Sequence, residues 1–297
     1  MTGTTIVSRA VPGVQPKPQS RLVVGLNRNL ASVEEEWRSL LTGEHPRMRR
    51  GRRFLGLIPS NPRCKMCYAP FGTPGMFFMR LGGRGPSNLN PNVCNLCERF
   101  AVKHPGGAEI EISMLFADVR GSTTLAERIS PSEFSRLMNR FYQVATGVLL
   151  ETEAIIDKFV GDEVVALYVP ALAGSEHPSA AVRAGRELLR ATGQGDPGGP
   201  SLPIGIGIHT GIAFVGSVGT AGVTDITALG DAVNTTARLA SAAGPGEALL
   251  SEATCAAAGL DTSGMEQRRL ELKGRSERVR VRVLRDIPAS PEDRETG

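Results

Sequence analysis

At 297 residues the chain has room for one full-sized domain and a smaller companion. Its 41% hydrophobic and 22% charged residues exclude a disordered, collagen-like or membrane-embedded class. No apolar run approaches the roughly 18 residues of a membrane helix, and the N-terminus lacks a signal-peptide core, so a cytoplasmic protein with no membrane span is expected. The net charge of +4 conceals an asymmetry: residues 1–107 carry 16 Lys and Arg against 5 Asp and Glu, and the rest carries 18 against 25. Such a split is expected of two units with different jobs.

Residues 1–20 are rich in Thr, Ser, Pro and Gly without periodicity and read as a disordered tail. Residues 21–107 form a basic N-terminal region. Val33, Trp37 and Leu40/Leu41 recur at helical spacing and predict a helix over Ala31–Leu41. The run Arg47-Met-Arg-Arg-Gly-Arg-Arg53 suits nucleic acid, anionic lipid or an acidic protein surface. No aromatic platform or recognition helix accompanies it, so nucleic-acid binding has no further support. A solvated linker resting on the chain's own acidic half accounts for the run equally well.

A four-cysteine module follows at 60–100. Cys64-x-x-Cys67 and Cys94-x-x-Cys97 are separated by 26 residues. In a reducing compartment such pairs point to metal rather than disulfide. Four thiolates suit Zn²⁺ first, in a knuckle or ribbon; an iron–sulfur cluster and redox-active thiols are the alternatives. The intervening segment is Gly/Pro-rich, with Met76, Phe77, Phe78, Met79 and Leu81 as its few apolar residues, too small a core to fold without a staple. His104-Pro-Gly-Gly107 reads as a linker.

Residues 108–285 change in character. Ile112–Val119 is predicted as a buried strand. Ser130 as N-cap, Pro131 at the first helical position and Glu133 closing a capping box start a helix that runs to about Glu151. Its apolar stripe is Phe134, Leu137, Phe141, Val144 and Val148. Ala154–Phe159 and Glu163–Val169 are strands joined through Val160-Gly161-Asp162. A helix over Ser179–Thr192 follows. Pro203–His209 and Ile212–Val218 are expected to make a hairpin around Thr210-Gly211, Asp231–Ala242 a helix, and Arg278–Val283 a late strand. Residues 286–297 read as a second disordered tail.

The order strand–helix–strand–strand–helix–strand predicts an α+β, ferredoxin-like βαββαβ domain. In that topology the third strand lies antiparallel beside the first. Asp118, ending the first, and Asp162, beginning the third, are thereby expected to meet at one sheet edge.

Four segments carry chemistry: Phe116-Ala-Asp118-Val-Arg-Gly-Ser-Thr123, Lys158-Phe-Val-Gly-Asp162, Gly207-Ile-His-Thr-Gly211 and Gly230-Asp-Ala-Val-Asn234-Thr-Thr-Ala-Arg238. In this order and spacing, over about residues 109–285, they resemble the motifs of class III adenylyl and guanylyl cyclase catalytic domains. The resemblance implies two Mg²⁺ or Mn²⁺ ions held by Asp118, Asp162 and the backbone carbonyl of Val119, and hard cations do prefer such oxygens. It further implies attack of a ribose 3′-hydroxyl on the α-phosphorus with loss of pyrophosphate. Asn234 would hold the ribose and Arg238 would stabilise charge on the α-phosphoryl oxygens.

The resemblance implies that two further positions read the base. Adenine presents an acceptor at N1 and a donor at N6; Lys158 can donate and Thr227 can accept. The Lys/Thr pair resembles the adenylyl subgroup, which implies ATP as substrate and cyclic AMP as an intracellular signal. A guanylyl cyclase and a catalytically silent nucleotide-binding scaffold are the alternatives. Because the family's site forms between two catalytic domains and this chain carries both halves, the resemblance implies a homodimer. His209 is expected to be structural, Cys255 a small buried residue, and Arg120 has no assigned role.

Overall fold

A computed structural model describes residues 20–58, 60–87, 91–103, 105–193, 202–220, 223–271 and 279–285. The two predicted tails, apart from Ser20, lie outside these residues. Four helices precede the sheet: α1 (Ser20–Leu41), α2 (Pro46–Leu55), α3 (Gly75–Leu81) and α4 (Asn95–Lys103). The first helix therefore begins well before Ala31. The arginine run is helical rather than a linker. Arg52 turns inward, donating to the carbonyls of Met66, Lys65 and Ala171 at 2.8–2.9 Å and lying over the Tyr68 ring. Its contact with the acidic half of the chain is thus to a backbone carbonyl.

The remaining elements in chain order are β1 (Gly107–Val119), α5 (Ser122–Arg128), α6 (Pro131–Glu151), β2 (Ile155–Val160), β3 (Glu163–Tyr168), α7 (Pro170–Ala173), α8 (His177–Thr192), β4 (Ile204–Thr220), β5 (Val223–Leu229), α9 (Asp231–Ala242), β6 (Glu247–Ser251), α10 (Glu252–Ala257), β7 (Glu266–Leu270) and β8 (Val279–Arg285). The sheet order is β2-β3-β1-β4-β6-β8-β7, with β5 paired to β4. Its first four strands, with α6 and α8 as the connecting helices, are the ferredoxin-like unit. The capping box at the start of α6 is present as expected: Ser130 accepts from the Glu133 N–H, and Glu133 accepts from the Ser130 N–H.

Alternation along β1 builds two cores. Leu115, Ala117 and Val119 face Phe141, Ala145 and Leu149 of α6 and Ala181, Ala184 and Leu188 of α8. Ile110, Ile112, Met114 and Phe116 face the other way, towards Ala232 and Ala240 of α9. Trp37, Leu40, Leu41, Met48, Cys64 and Val93 belong to that same buried cluster. Each large side chain removed from water there contributes about 1.5–3 kcal/mol. The basic region is thus packed on the sheet, and its apolar residues complete one face of the main core.

The predicted hairpin around Thr210-Gly211 is not formed. β4 runs unbroken through it and pairs with β1 from Gly107↔Gly216 to Val119↔Ile204. Thr210 lies mid-strand, its hydroxyl 2.7 Å from Ser113 Oγ, which in turn lies 2.9 Å from His177 Nδ1. A Thr-Gly pair signals a turn only when the backbone needs the left-handed region, and a 13-residue partner strand instead keeps it extended. The actual hairpin joins β4 to β5. β6 escaped the pattern because it is buried along its whole length and does not alternate.

At the far end of the sheet, Glu247 accepts from Arg268 at 2.7 and 2.8 Å and from Arg285 at 3.0 Å. These bonds, Arg268's above all, pull its carboxyl down from 4.5 to about 2. A lowered folded-state value means the stabilisation is full above pH 4.5 and is lost as pH falls towards 2. Glu247→Gln is expected to cost about 1–3 kcal/mol at neutral pH. It should also weaken the decline in stability below pH 4.5; urea melts at pH 7 and pH 3 measure both effects.

Candidate active site

The topology brings the two aspartates together. Asp118 is opposite Glu163 in the β1–β3 ladder, and the Val119 N–H donates to the Asp162 carbonyl at 3.2 Å. Asp162 follows Gly161, whose φ of +63° suits the tight β2–β3 turn and disfavours a side chain. The Tyr142 hydroxyl donates to the Gly161 carbonyl and ties this turn to α6. Burial and the neighbouring Asp162 charge push the Asp118 carboxyl above the usual range; Arg120 pulls it partly back. Glu163 is pushed up to about 6 by burial and by both aspartates.

Two residues at this edge had no role assigned from the sequence. Glu163 supplies a third carboxylate, half-buried, and strand alternation alone could have placed it beside Asp118. Arg120 lies 3.2 Å from Asp118 Oδ2 and donates across the sheet to the Ala240 carbonyl. Carboxylates gathered at one strand edge offer the hard oxygen ligands that a divalent cation prefers, so the residues present fit Mg²⁺ or Mn²⁺ at Asp118 and Asp162.

Asn234 and Arg238 lie one turn apart on the outward stripe of α9, Asn234 exposed and Arg238 half-buried. Ala232, Thr235, Thr236, Leu239 and Ala240 form the inward stripe. That helix lies directly on β4: a Cβ on Gly207 would strike the Ala240 nitrogen and the Thr236 carbonyl. Gly207 is therefore the close approach that sets where Asn234 and Arg238 stand. His209 bonds through Nδ1 to Ser251 Oγ at 2.8 Å, the structural role expected of it. Cys255 is buried in α10.

Lys158 and Thr227 come together around a residue that the sequence did not single out. The Thr227 hydroxyl donates to Asp157 Oδ2 at 2.7 Å, and Lys158 Nζ lies 3.6 Å from the same oxygen. The ladder between β2 and β3 shifts register between Ile156 and Lys158. Asp157 is the extra residue of this bulge, and bulges re-aim side chains. Strict alternation would have sent Asp157 and Lys158 to opposite faces.

The cysteines form a compact centre. All four Sγ atoms lie within 4.8 Å of one another, with Cys64–Cys97 at 4.0 Å and Cys67–Cys94 at 3.7 Å. A tetrahedral ion with bonds of about 2.3 Å sets its sulfurs about 3.8 Å apart, so the set fits a metal. The N–H groups of Cys67 and Cys94 point at Cys64 Sγ. Hydrogen bonds shared with Cys64, Cys67 and Cys94, together with burial, push the Cys97 thiol far up. A bound cation would relieve that crowding.

Comparison with known proteins agrees with this geometry. Residues 107–284 match the family model described as adenylate and guanylate cyclase catalytic domain. The chain is 31% identical over 132 residues to an adenylate cyclase of Anabaena cylindrica, covering 43% of this chain and 26% of the relative. It is 34% identical over 134 residues to adenylate cyclase 1 of Rhizobium meliloti, covering 43% and 20%. The matched part thus spans about a quarter or less of these relatives. Among solved structures, the guanylyl cyclase Cya2 is 30% identical with a TM-score of 0.55, over 60% of this chain and 93% of that one. The adenylyl cyclase CyaB from P. aeruginosa is 29% identical with a TM-score of 0.52, over 61% and 97%. Among the described residues no helix is long and apolar enough to cross a membrane. With the aspartate pair, the α9 stripe and the family model all falling within one continuous sheet domain, the chain belongs to the adenylate and guanylate cyclase catalytic domain family.

Proposed function

We propose that this protein is an adenylate cyclase that converts ATP to 3′,5′-cyclic AMP and pyrophosphate, for intracellular signalling, at sites shared by a homodimer. The observation that carries the reading is the grouping of Lys158 and Thr227 in one cluster, a donor and an acceptor in the pattern adenine requires. Guanine would set a carbonyl against the Thr227 lone pairs and a protonated ring nitrogen against Lys158. Asp118, Asp162 and the Val119 carbonyl would hold two Mg²⁺ or Mn²⁺ ions, which when bound acidify the ribose hydroxyl and neutralise the triphosphate. Asn234 orients the ribose so that its 3′-oxygen stands in line with the α-phosphorus. Arg238 donates to the α-phosphoryl oxygens as charge gathers on them.

Phe159 and Val160 of β2, Ile212 of β4 and Leu229 of β5 expose apolar side chains on or beside the strands that carry Lys158 and Thr227, which supports burial against a second copy. The four-cysteine centre reads as a structural Zn²⁺ site of the 60–100 module. Purified protein assayed with ATP or GTP in Mg²⁺ or Mn²⁺ tests the proposal. Cyclic AMP formation, with kcat/KM higher for ATP than for GTP, is the expected result. Preference for GTP would make it a guanylyl cyclase, and no product with either nucleotide would leave a silent scaffold.

A further inference from the structure

We infer that Asp157 is a specificity-setting positioning residue: by accepting the hydrogen bond of the Thr227 hydroxyl, it makes Thr227 a one-way acceptor for the amino group of adenine. The inference rests on the adenylate cyclase reading above. A threonine hydroxyl carries one proton and two lone pairs, and by itself can rotate to donate or accept. Such a group accepts from the 6-amino group of adenine as readily as it donates to the 6-carbonyl of guanine. Asp157 removes that freedom. Its carboxylate can only accept, its side chain is 4% exposed, and its Oδ2 stands 2.7 Å from Thr227 Oγ1. With the proton committed inward, only lone pairs face the base.

The same carboxylate oxygen lies 3.6 Å from Lys158 Nζ, while the Lys158 side chain is 44% exposed. The bulge in β2 makes this possible by turning two consecutive residues towards one cluster. Thr227 is itself buried on β5, opposite Gly216 of β4, so its backbone is fixed while the hydroxyl torsion is set by its partner. Asp157 need not touch the nucleotide; it acts through Thr227.

The test is the ratio of kcat/KM for ATP to kcat/KM for GTP in the full-length protein, for wild type, Asp157→Asn, Asp157→Ala and the same changes in a Thr227→Val background. Loss of folded protein lowers both rates equally and leaves the ratio unmoved, so a merely structural role is separated from positioning. The near-isosteric Asp157→Asn covers the case in which the alanine variant fails to fold. In the Thr227 background the ratio is expected to fall about five- to tenfold on removing Asp157, the worth of one net hydrogen bond. In the Thr227→Val background no further fall is expected, because the two residues act as a unit. An unchanged ratio in both Asp157 variants would overturn the inference while leaving the adenylate cyclase reading intact. An equal fall in the Thr227→Val background would overturn it too, since the effect would then not pass through Thr227. A wild type that prefers GTP would already overturn the substrate reading, and this inference with it.

Discussion

Asp118→Ala is expected to lower the rate of cyclic nucleotide formation by about a thousandfold or more, since a metal contributes several kcal/mol of transition-state charge stabilisation. The fold should survive the change. Asp118 is partly exposed at a strand end, and its removal relieves the repulsion that raises Glu163. Arg238→Ala is expected to be similarly inactive, for loss of charge stabilisation on the phosphoryl oxygens. Mixing the two inactive proteins in equal amounts then discriminates between a site within one chain and a site between chains. If half the dimers are mixed and each holds one intact site of two, activity should return to about a quarter of the wild-type rate. A mixture as inactive as its components would rule out the shared site. Asp118→Ala with undiminished turnover would remove the metal assignment itself.

Loss of the cysteine centre is expected to have the second large effect, on stability first. Cys64→Ser should abolish stoichiometric metal, measured by elemental analysis, because Cys64 is fully buried and its sulfur receives two backbone N–H groups. The consequence should spread beyond the 60–100 module. Cys64, Val93 and Trp37 lie in one buried cluster with Ile112, Met114 and Phe116 of β1, so unfolding the module uncovers a face of the catalytic sheet. Structural zinc sites contribute about 10–16 kcal/mol to folding of their modules. Even partial loss should lower the melting temperature by on the order of 10 °C. Cys255→Ser, at a buried thiol outside the centre, should leave metal content unchanged. A Cys64→Ser protein with native metal content and melting would contradict the assignment. Zinc and iron–sulfur are separated by the visible absorption of the untreated protein.

The ways in which the chain met or departed from its sequence pattern have local causes. The α6 cap was legible because Ser130, Pro131 and Glu133 act within one turn, and nothing distant competes with them. The meeting of Asp118 and Asp162 was legible because βαββαβ connectivity leaves the third strand one position beside the first. Thr210-Gly211 misled because its turn chemistry is weak, and thirteen ladder partners on β1 outweigh it. Asp157 was invisible for a related reason. A bulge is a property of two strands in register, and one strand's residues do not announce which of them will be left unpaired.

By itself, then, the sequence determined the capped start of α6, the burial of β1, the residue types suited to divalent cations and phosphate, and the pairing of four thiols at metal-binding spacing. These depend on short-range sterics and on the chemistry of side chains. Tertiary structure alone decided that the basic N-terminal segment completes the catalytic core, because burial is a property of surfaces meeting. It also decided that Gly207 sets the seat of α9 and that a buried carboxylate stands behind Thr227. Each of these depends on distances between atoms far apart in the chain, which only the packed sheet brings within a hydrogen bond's reach.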